Sequence, residues 1–328
     1  MPSSVKVETS ARLHLGFLDL NGASGRKFGS LGLALDRPVT RLRIRHSDKS
    51  LVEGPERDRV GGHLRALQDH LGLTGPYHVT IEDAIPAHVG LGSGTQVALA
   101  LAAALRRLES LPVDMESDAL LLRRGARSGI GAALFSRGGV VVDGGHGGQK
   151  TVPPIICHLP FPEEWRIILV IDHEITGVHG DEEREAFVKL PIFPEMEAAR
   201  ICHAVLMKAL PALAERDLVA FGEAITSIQT SLGDYFAPAQ GGARYTSPKV
   251  AAVMATLAHH GAKGIGQSSW GPTGFAFAES DDEAQRLVNR VRENSAQGNP
   301  VMLICKGINH GARIGMIHGP QDEGQGPR

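Results

Sequence analysis

Ile85-Pro86-Ala87-His88-Val89-Gly90-Leu91-Gly92-Ser93-Gly94-Thr95-Gln96 runs directly into an Ala/Leu-rich segment, Val97 to Leu108. Before it, Tyr77-His78-Val79-Thr80-Ile81-Glu82 alternates as a strand does. The segment after it reads as a buried helix. A glycine-rich loop thus leads from a strand into a helix N-terminus. Gly90, Gly92 and Gly94 let the backbone turn tightly and approach a ligand closely. Ser93 or Thr95 is expected to cap the helix. The free N–H groups of the first turn and the helix dipole favour an anion, most often a phosphate. An ordinary capped turn gives the same pattern, because a lone glycine-rich loop is a weak signal.

On the N-terminal side, Val5–Thr9 alternates as a strand and Ala11–Phe17 reads as its partner. Asp19, Arg26 and Lys27 then stand in a polar, glycine-bearing loop. Leu31–Leu35 and Thr40–Arg45 are further strands separated by Asp36-Arg37-Pro38, and Arg41, Arg43 and Arg45 share one solvated face. Gly62–Leu71 and Ser117–Arg127 are predicted helices, and Val140–Asp143 a short strand. In the second half, Trp165–Ile171 reads as a strand. Glu195–Leu210 and Leu213–Leu232 read as helices, the second broken at Leu232–Phe236. The apolar faces of these two helices either pack within the monomer or form a homodimer face. Pro248–His259 and Asp282–Glu293 read as helices, and Gly274–Ala278 and Val301–Cys305 as strands. Strands first with helices on one side indicate an α+β fold. The expected division is 1–150, 151–318 and a disordered polar tail, 319–328.

The 328 residues are 42% hydrophobic and 21% charged, with a formal net charge of -2. That balance offers no bulk attraction to nucleic acid. Cys157, Cys202 and Cys305 are odd in number and widely spaced, as in a reduced cytoplasmic protein. No apolar run is long enough to span a bilayer. The histidines, including His259-His260, lack the spacing of a zinc site.

Pro86-xxx-Gly90-Leu91-Gly92-Ser93 resembles the phosphate-binding motif of the GHMP kinase superfamily. The resemblance spans Val5 to about Cys305 and implies a two-lobed α+β fold with the active site between the lobes. The departures from the kinases are informative. Ser128-Gly129-Ile130-Gly131 resembles their Ser-Gly-Val-Asp segment but places Gly131 where an aspartate base would stand. Ala119-Leu120-Leu121-Leu122 lies where some kinases carry a magnesium-binding glutamate. Losing both removes much of a kinase's electrostatic stabilisation.

Four segments are similar to a non-kinase branch, the β-ribofuranosylaminobenzene 5′-phosphate synthases. They are Arg12-Leu13-His14-Leu15-Gly16-Phe17-Leu18-Asp19, Gly125-xx-Ser128-Gly129-Ile130-Gly131, Tyr235-Phe236-Ala237-Pro238-xx-Gly241-Gly242 and Gly266-Gln267-Ser268-Ser269-Trp270-Gly271-Pro272-Thr273. The last is the most specific. This branch joins phosphoribosyl pyrophosphate to a 4-substituted benzoate early in tetrahydromethanopterin biosynthesis, releasing carbon dioxide and pyrophosphate.

The resemblance implies small-molecule substrates, magnesium arriving with phosphoribosyl pyrophosphate, and no role for ATP. Either 4-aminobenzoate or 4-hydroxybenzoate would be the acceptor. Gly90, Leu91, Gly92, Ser93, Gly94, Thr95 and Gln96 would bind phosphate, with Gln267, Ser268, Ser269 and Thr273 as further donors. Asp19, Arg26 and Lys27 are the candidate catalytic residues. Asp19 would stabilise a ribosyl cation or hold magnesium, and Arg26 and Lys27 would hold a second anion. Trp270 and Tyr235 either stack on the aromatic ring or belong to the core. Two other functions fit the pattern: an ATP-dependent small-molecule kinase, and a phosphate-ligand-binding protein without catalysis.

Overall fold

A computed structural model describes residues 4–125, 127–148, 151–177, 180–293 and 300–317, without the side chains of 181–184. The tail from 319 lies outside the described residues. Ser4–Asp19 is a single strand, β1, and Arg26–His46 a single strand, β2. They pair antiparallel from Val5 opposite Ile44 to Asp19 opposite Phe28. Val5–Thr9 and Ala11–Phe17 are therefore not partners but consecutive parts of one strand. Bulges after Ser10 and His14 re-aim its side chains without ending it. Val5 and Val7 consequently pack into one apolar cluster, and Leu13, Leu15 and Phe17 into another.

The chain continues through β3 (Leu51–Glu53), α1 (Arg57–Leu71), β4 (Tyr77–Asp83), α2 (Ser93–Leu108), α3 (Met115–Leu121) and α4 (Ile130–Arg137). The helix expected over Ser117–Arg127 starts and ends earlier. Asp114 caps it by accepting from the Ser117 amide at 3.1 Å, and Arg123 follows it in the left-handed region. β5 (Val140–Asp143), β6 (His146–Gly147) and β7 (Ile155–Leu159) pair around the start of β2. Then come β8 (Arg166–Ile171), α5 (Gly180–Lys189), α6 (Glu195–Ala204), α7 (Leu210–Glu215) and α8 (Leu218–Phe236). α9 (Pro248–His259), β9 (Lys263–Gln267), β10 (Thr273–Ala278), α10 (Asp281–Glu293), β11 (Val301–Cys305) and β12 (Arg313–Ile317) complete the chain.

α6 and α7 form one rod, because Val205–Ala209 continues the helix as a π-turn. Pro211 has no N–H to donate, and the Leu210 amide reaches back to the Val205 carbonyl. The break expected near Pro211 falls instead at Arg216, which is left-handed. The expected break at Leu232–Phe236 is also absent. Gly233 stays helical because its bare face admits the Arg244 side chain; a Cβ there would lie 3.2 Å from the Arg244 Cβ. The inner faces of α6 and α8, including Ala198, Ile201, Phe221 and Ile225, join the core, while Met196, Leu206 and Val219 remain exposed.

One sheet runs β12-β1-β2-β4-β3, with β5 to β7 joined to β2 and to one another. The other runs β11-β8-β10-β9. β8 is buried on both faces: Ile167, Leu169 and Ile171 pack toward β1 and α8, whereas Ile168 and Val170 pack toward α9 and α10. No helix of the described residues is long and apolar enough to cross a membrane. Arg41 pairs with Glu8 and Asp83 at the surface, as the solvated-face reading of the β2 arginines predicts.

Every residue of α2 from Gln96 to Arg106 is buried, so the helix is the central rod of the first lobe. Its one internal charge, Arg106, forms a bidentate pair with the fully buried Asp118 of α3 at 2.7 and 2.8 Å. Asp118→Ala would strand a buried guanidinium and should cost roughly 3–5 kcal/mol of unfolding free energy. Urea denaturation measures this, and a loss below about 1 kcal/mol would refute the pairing's importance.

Candidate active site

The glycine-rich loop meets both β1 and the second lobe through its backbone. The Arg12 amide donates to the Leu91 carbonyl at 3.0 Å. Ser268 Oγ donates to the Gly90 carbonyl at 2.8 Å and accepts from the His14 amide at 3.1 Å. A Cβ on Gly90 would stand 2.2 Å from the Ser268 carbonyl oxygen, and one on Gly271 2.2 Å from the backbone of Val89. Only glycine allows this approach. The Gly177 amide closes the third side on the His88 carbonyl at 3.0 Å.

The N-cap of α2 is Gly92, not Ser93 or Thr95, and it provides no side-chain cap. The Thr95 and Gln96 amides bond back to the Gly92 carbonyl at 3.1 Å, while no side chain caps the turn at Ser93 and Gly94, where the positive end of the helix dipole lies. Two guanidinium groups flank that turn. Built Cβ atoms on Gly92 and Gly94 would lie 3.0 Å from Arg12 Nε and from an Arg124 terminal nitrogen, respectively. Arg124 also contacts His63 Nε2 at 3.3 Å. Among the described residues it has no carboxylate partner, and its Nε is buried without a hydrogen bond. Burial, then the charge of Arg59, lower its pKa. Glu56 offsets part of this charge at a distance, and a cation with no carboxylate in bonding contact beside a helix N-terminus can pair with an anion.

Arg59 reinforces the field, bonded to Glu56 at 2.6 Å and 3.4 Å from His88 Nε2. Neither Arg59 nor Arg124 is among the residues the sequence singled out. Arg124 lies just before the Gly125-to-Gly131 segment, and that adjacency was the available signal.

Gln96 is buried, accepting from Thr9 and donating to the Gly131 carbonyl at 3.0 Å, so its amide braces the loop from within. Gly131 lies in the first turn of α4, where a Cβ would come 2.9 Å from Thr95 Cγ2. An aspartate there would collide with Thr95. Asp143, buried behind this turn, accepts from Ser128 Oγ and the Gly129 and Gly145 amides at 2.8–2.9 Å. Burial nevertheless raises its pKa.

The 267–273 residues divide between roles. Gln267 joins Gln240, Thr246 and the Ser269 carbonyl. Trp270 is buried against Phe187 and Phe236, with ring centroids 5.1 and 4.8 Å away. Its Nε1, like Thr273 Oγ1, is buried without a partner among the described residues. Tyr235 donates to the Pro191 carbonyl and packs on Phe193.

Asp19, Arg26 and Lys27 gather at the opposite end of β1, on its hairpin with β2, roughly 20 Å of extended strand beyond Arg12. Asp19 Oδ1 accepts from the Asn21 and Gly22 amides and shapes the turn. Arg26 is bonded to the Gly144 and Gly145 carbonyls. Lys27 Nζ lies 5.9 Å above the Phe28 ring. Phe28 packs on Phe187, which packs on Trp270, so a bridge of rings connects this end to the Ser268 turn.

Between the lobes a cleft of about 260 Å³ is lined by β1, α8, α9 and β9. His14 lies on its wall; burial, then the charge of Arg12, hold its pKa well below 6.5, so the ring is neutral. Among the described residues no group of three or more His, Cys, Asp or Glu side chains could hold a metal ion.

This architecture, a glycine loop leading into a helix N-terminus at the junction of two α+β lobes, defines the class. Models of the GHMP kinases N terminal domain and of the GHMP kinases C terminal match residues 58–139 and 209–297. The homoserine kinase of Cytophaga hutchinsonii superposes with a TM-score of 0.68 at 17% identity, covering 96% of this chain and 98% of that one. The mevalonate diphosphate decarboxylase of Staphylococcus aureus also gives 0.68, at 15% identity and the same coverage.

At the level of sequence the match is narrower. The β-ribofuranosylphenol 5′-phosphate synthase of Methanothermobacter thermautotrophicus is 32% identical, covering 93% of this chain and 97% of that protein. The synthase of the same name from Methanocaldococcus jannaschii is 33% identical, covering 93% and 98%. The chain belongs to the GHMP kinase superfamily and, within it, to the family of these synthases.

Two predictions follow from the cradle's charges. Arg124→Ala should weaken pyrophosphate binding about tenfold to a hundredfold, the value of one or two charge-assisted hydrogen bonds. It should leave the unfolding free energy of the unliganded protein undiminished, since no bond to a carboxylate is lost and an unbonded buried Nε is removed. Calorimetric titration and urea melts check both, and unchanged pyrophosphate affinity would remove Arg124 from the site. His63 is held at about 4, against an ordinary 6.5, by burial and then by Arg124 and Arg59. The unfolded chain therefore takes up this proton first, and stability falls as pH drops from 6.5 toward 4. His63→Gln should flatten that limb in melts recorded across the range.

Proposed function

We propose that this chain condenses phosphoribosyl pyrophosphate with 4-hydroxybenzoate to form a C-riboside 5′-phosphate, carbon dioxide and pyrophosphate, an early step toward tetrahydromethanopterin. The observation that carries this reading is the near full-length identity to synthases whose product name contains a phenol. That name favours the 4-hydroxy acceptor over 4-aminobenzoate. The Gly131 turn agrees, because Thr95 occupies the space an aspartate base would need.

The bond between the anomeric carbon and the pyrophosphate oxygen breaks, and pyrophosphate leaves with the electron pair. The ring carbon bearing the carboxylate attacks the ribosyl cation. The carbon–carboxylate bond then breaks, its pair restores the aromatic ring, and carbon dioxide departs. No net proton is gained or lost. The uncapped turn of α2, with Arg12 and Arg124, receives the charge growing on the pyrophosphate, and fixed donors do so without reorganisation. Neutral His14 adds no positive charge beside the ribosyl cation.

Asp19, Arg26 and Lys27 stand roughly 20 Å of extended strand beyond Arg12, farther than one ribose separates its 5′-phosphate from its pyrophosphate, so they are not assigned to a substrate held on the α2 turn. Arg26 is occupied by backbone carbonyls, and Lys27 lies over the Phe28 ring. Magnesium bound to pyrophosphate would neutralise part of the leaving group's charge. The described donors around the α2 turn suit an ion carried mainly by substrate oxygens, and Asp19, on the far hairpin, is too distant to ligate it there.

The test is incubation with phosphoribosyl pyrophosphate, magnesium and carboxyl-labelled 4-hydroxybenzoate or 4-aminobenzoate. Labelled carbon dioxide should appear, faster from the hydroxy acid. No release from either acid, together with ADP formation on a panel of alcohols with ATP, would overturn the reading in favour of a kinase.

A further inference from the structure

We infer that the cleft between β1, α8, α9 and β9 is the site of the aromatic acid, its ring lying against Phe17 and Phe236 and its carboxylate-bearing carbon at the His14 end. This rests on the synthase reading above and assigns the acceptor a place within it.

The volume, about 260 Å³, lies just under the range of roughly 300–1,000 Å³ typical of drug-sized ligands, which suits a single-ring molecule. The walls are apolar and aromatic: Phe17, Phe236 and Tyr245 offer ring faces and edges to a flat guest, and Met254 adds a polarisable thioether. Their charge is balanced. His14 is neutral, and Arg244 is paired with Asp234 at 2.5 and 3.0 Å. Such a lining accepts a monocarboxylate with a phenolic ring more readily than a polyphosphate.

The polar walls are fixed before any ligand arrives. Gln229 bridges the Leu15 carbonyl and the Gln267 amide at 2.8 Å each, and Gln267 is held by Gln240 and Thr246. Among the described residues the Tyr245 hydroxyl, by contrast, has no hydrogen-bond partner, and burial raises its pKa to about 12, so it stays a donor.

Position makes the assignment specific. His14 and Ser269 line the cleft, and Ser268 between them in space bonds both His14 and Gly90. The cleft and the anion cradle therefore share a wall. Joining a ring carbon to an anomeric carbon requires the two substrates to be held in contact, and this shared wall is where they would meet. Arg12 Nη1 lies 3.5 Å from the same Gly90 carbonyl that Ser268 bonds, which brings a cation to this wall.

α9 allows a test that spares the core. Ala255 is exposed and Ala251 half-buried, and both line the cleft. Ala255→Trp and Ala251→Phe should each weaken 4-hydroxybenzoate binding at least tenfold in calorimetry with magnesium pyrophosphate present. Pyrophosphate affinity and the melting temperature should stay at wild-type values. Unchanged 4-hydroxybenzoate affinity in a folded variant overturns the assignment, as does absence of 4-hydroxybenzoate binding to the wild-type protein. The synthase reading fails separately: wild-type protein that binds 4-hydroxybenzoate, loses it in Ala255→Trp and yet releases no carbon dioxide retains the cleft assignment and refutes the reaction.

Discussion

The molecule depends on one close approach of backbone to backbone. Val89-Gly90 of the first lobe and Ser268–Gly271 of the second come together where neither Gly90 nor Gly271 has room for a Cβ. Ser268 Oγ secures the contact by bridging the Gly90 carbonyl and the His14 amide. Because the same loop delivers the N-terminus of α2, this contact fixes the anion cradle and joins the lobes at once. A side chain at either glycine would open the interface and misdirect the helix together.

The cradle illustrates how stability is given up for function. Arg124 is half-buried, with its Nε buried and unbonded and no carboxylate in bonding contact among the described residues, beside a helix end that lacks a side-chain cap. Nothing in the folding of the first lobe calls for that arrangement. The α2 rod already has an internal arginine, and there Asp118 compensates it fully. Arg106 is held by a carboxylate within the lobe, whereas the Arg124 guanidinium contacts His63 and no carboxylate among the described residues, which leaves its charge available for the anion that the proposed reaction requires. His63, kept neutral by burial and then by the charges of Arg124 and Arg59, reports on that field.

Much of this was legible in the chain. The strand–loop–helix reading at Gly90 holds because glycine conformational freedom and an unbroken apolar helix are local properties. The α+β class follows from the order of strands and helices. Element ends were less legible. Bulges let β1 and β2 run through positions where alternation slips, and Gly233 reads as a breaker although its bare face exists to admit Arg244. Long-range packing, absent from any local window, decides both.

The site divides along the same line. Sequence alone determined that a glycine-rich loop leads from a strand into a helix N-terminus, and that Gly131 supplies no carboxylate. Both depend on the identity of single residues. Tertiary structure decided which cations complete the cradle, because Arg12, Arg59 and Arg124 are far apart in the chain and meet only when α1, β1 and α2 pack. It likewise placed Asp19, Arg26 and Lys27 on the far hairpin, buried Trp270 among Phe187 and Phe236, and opened a cleft beside His14. A cavity is a relation between elements, here β1, α8, α9 and β9, and has no signature in any one of them.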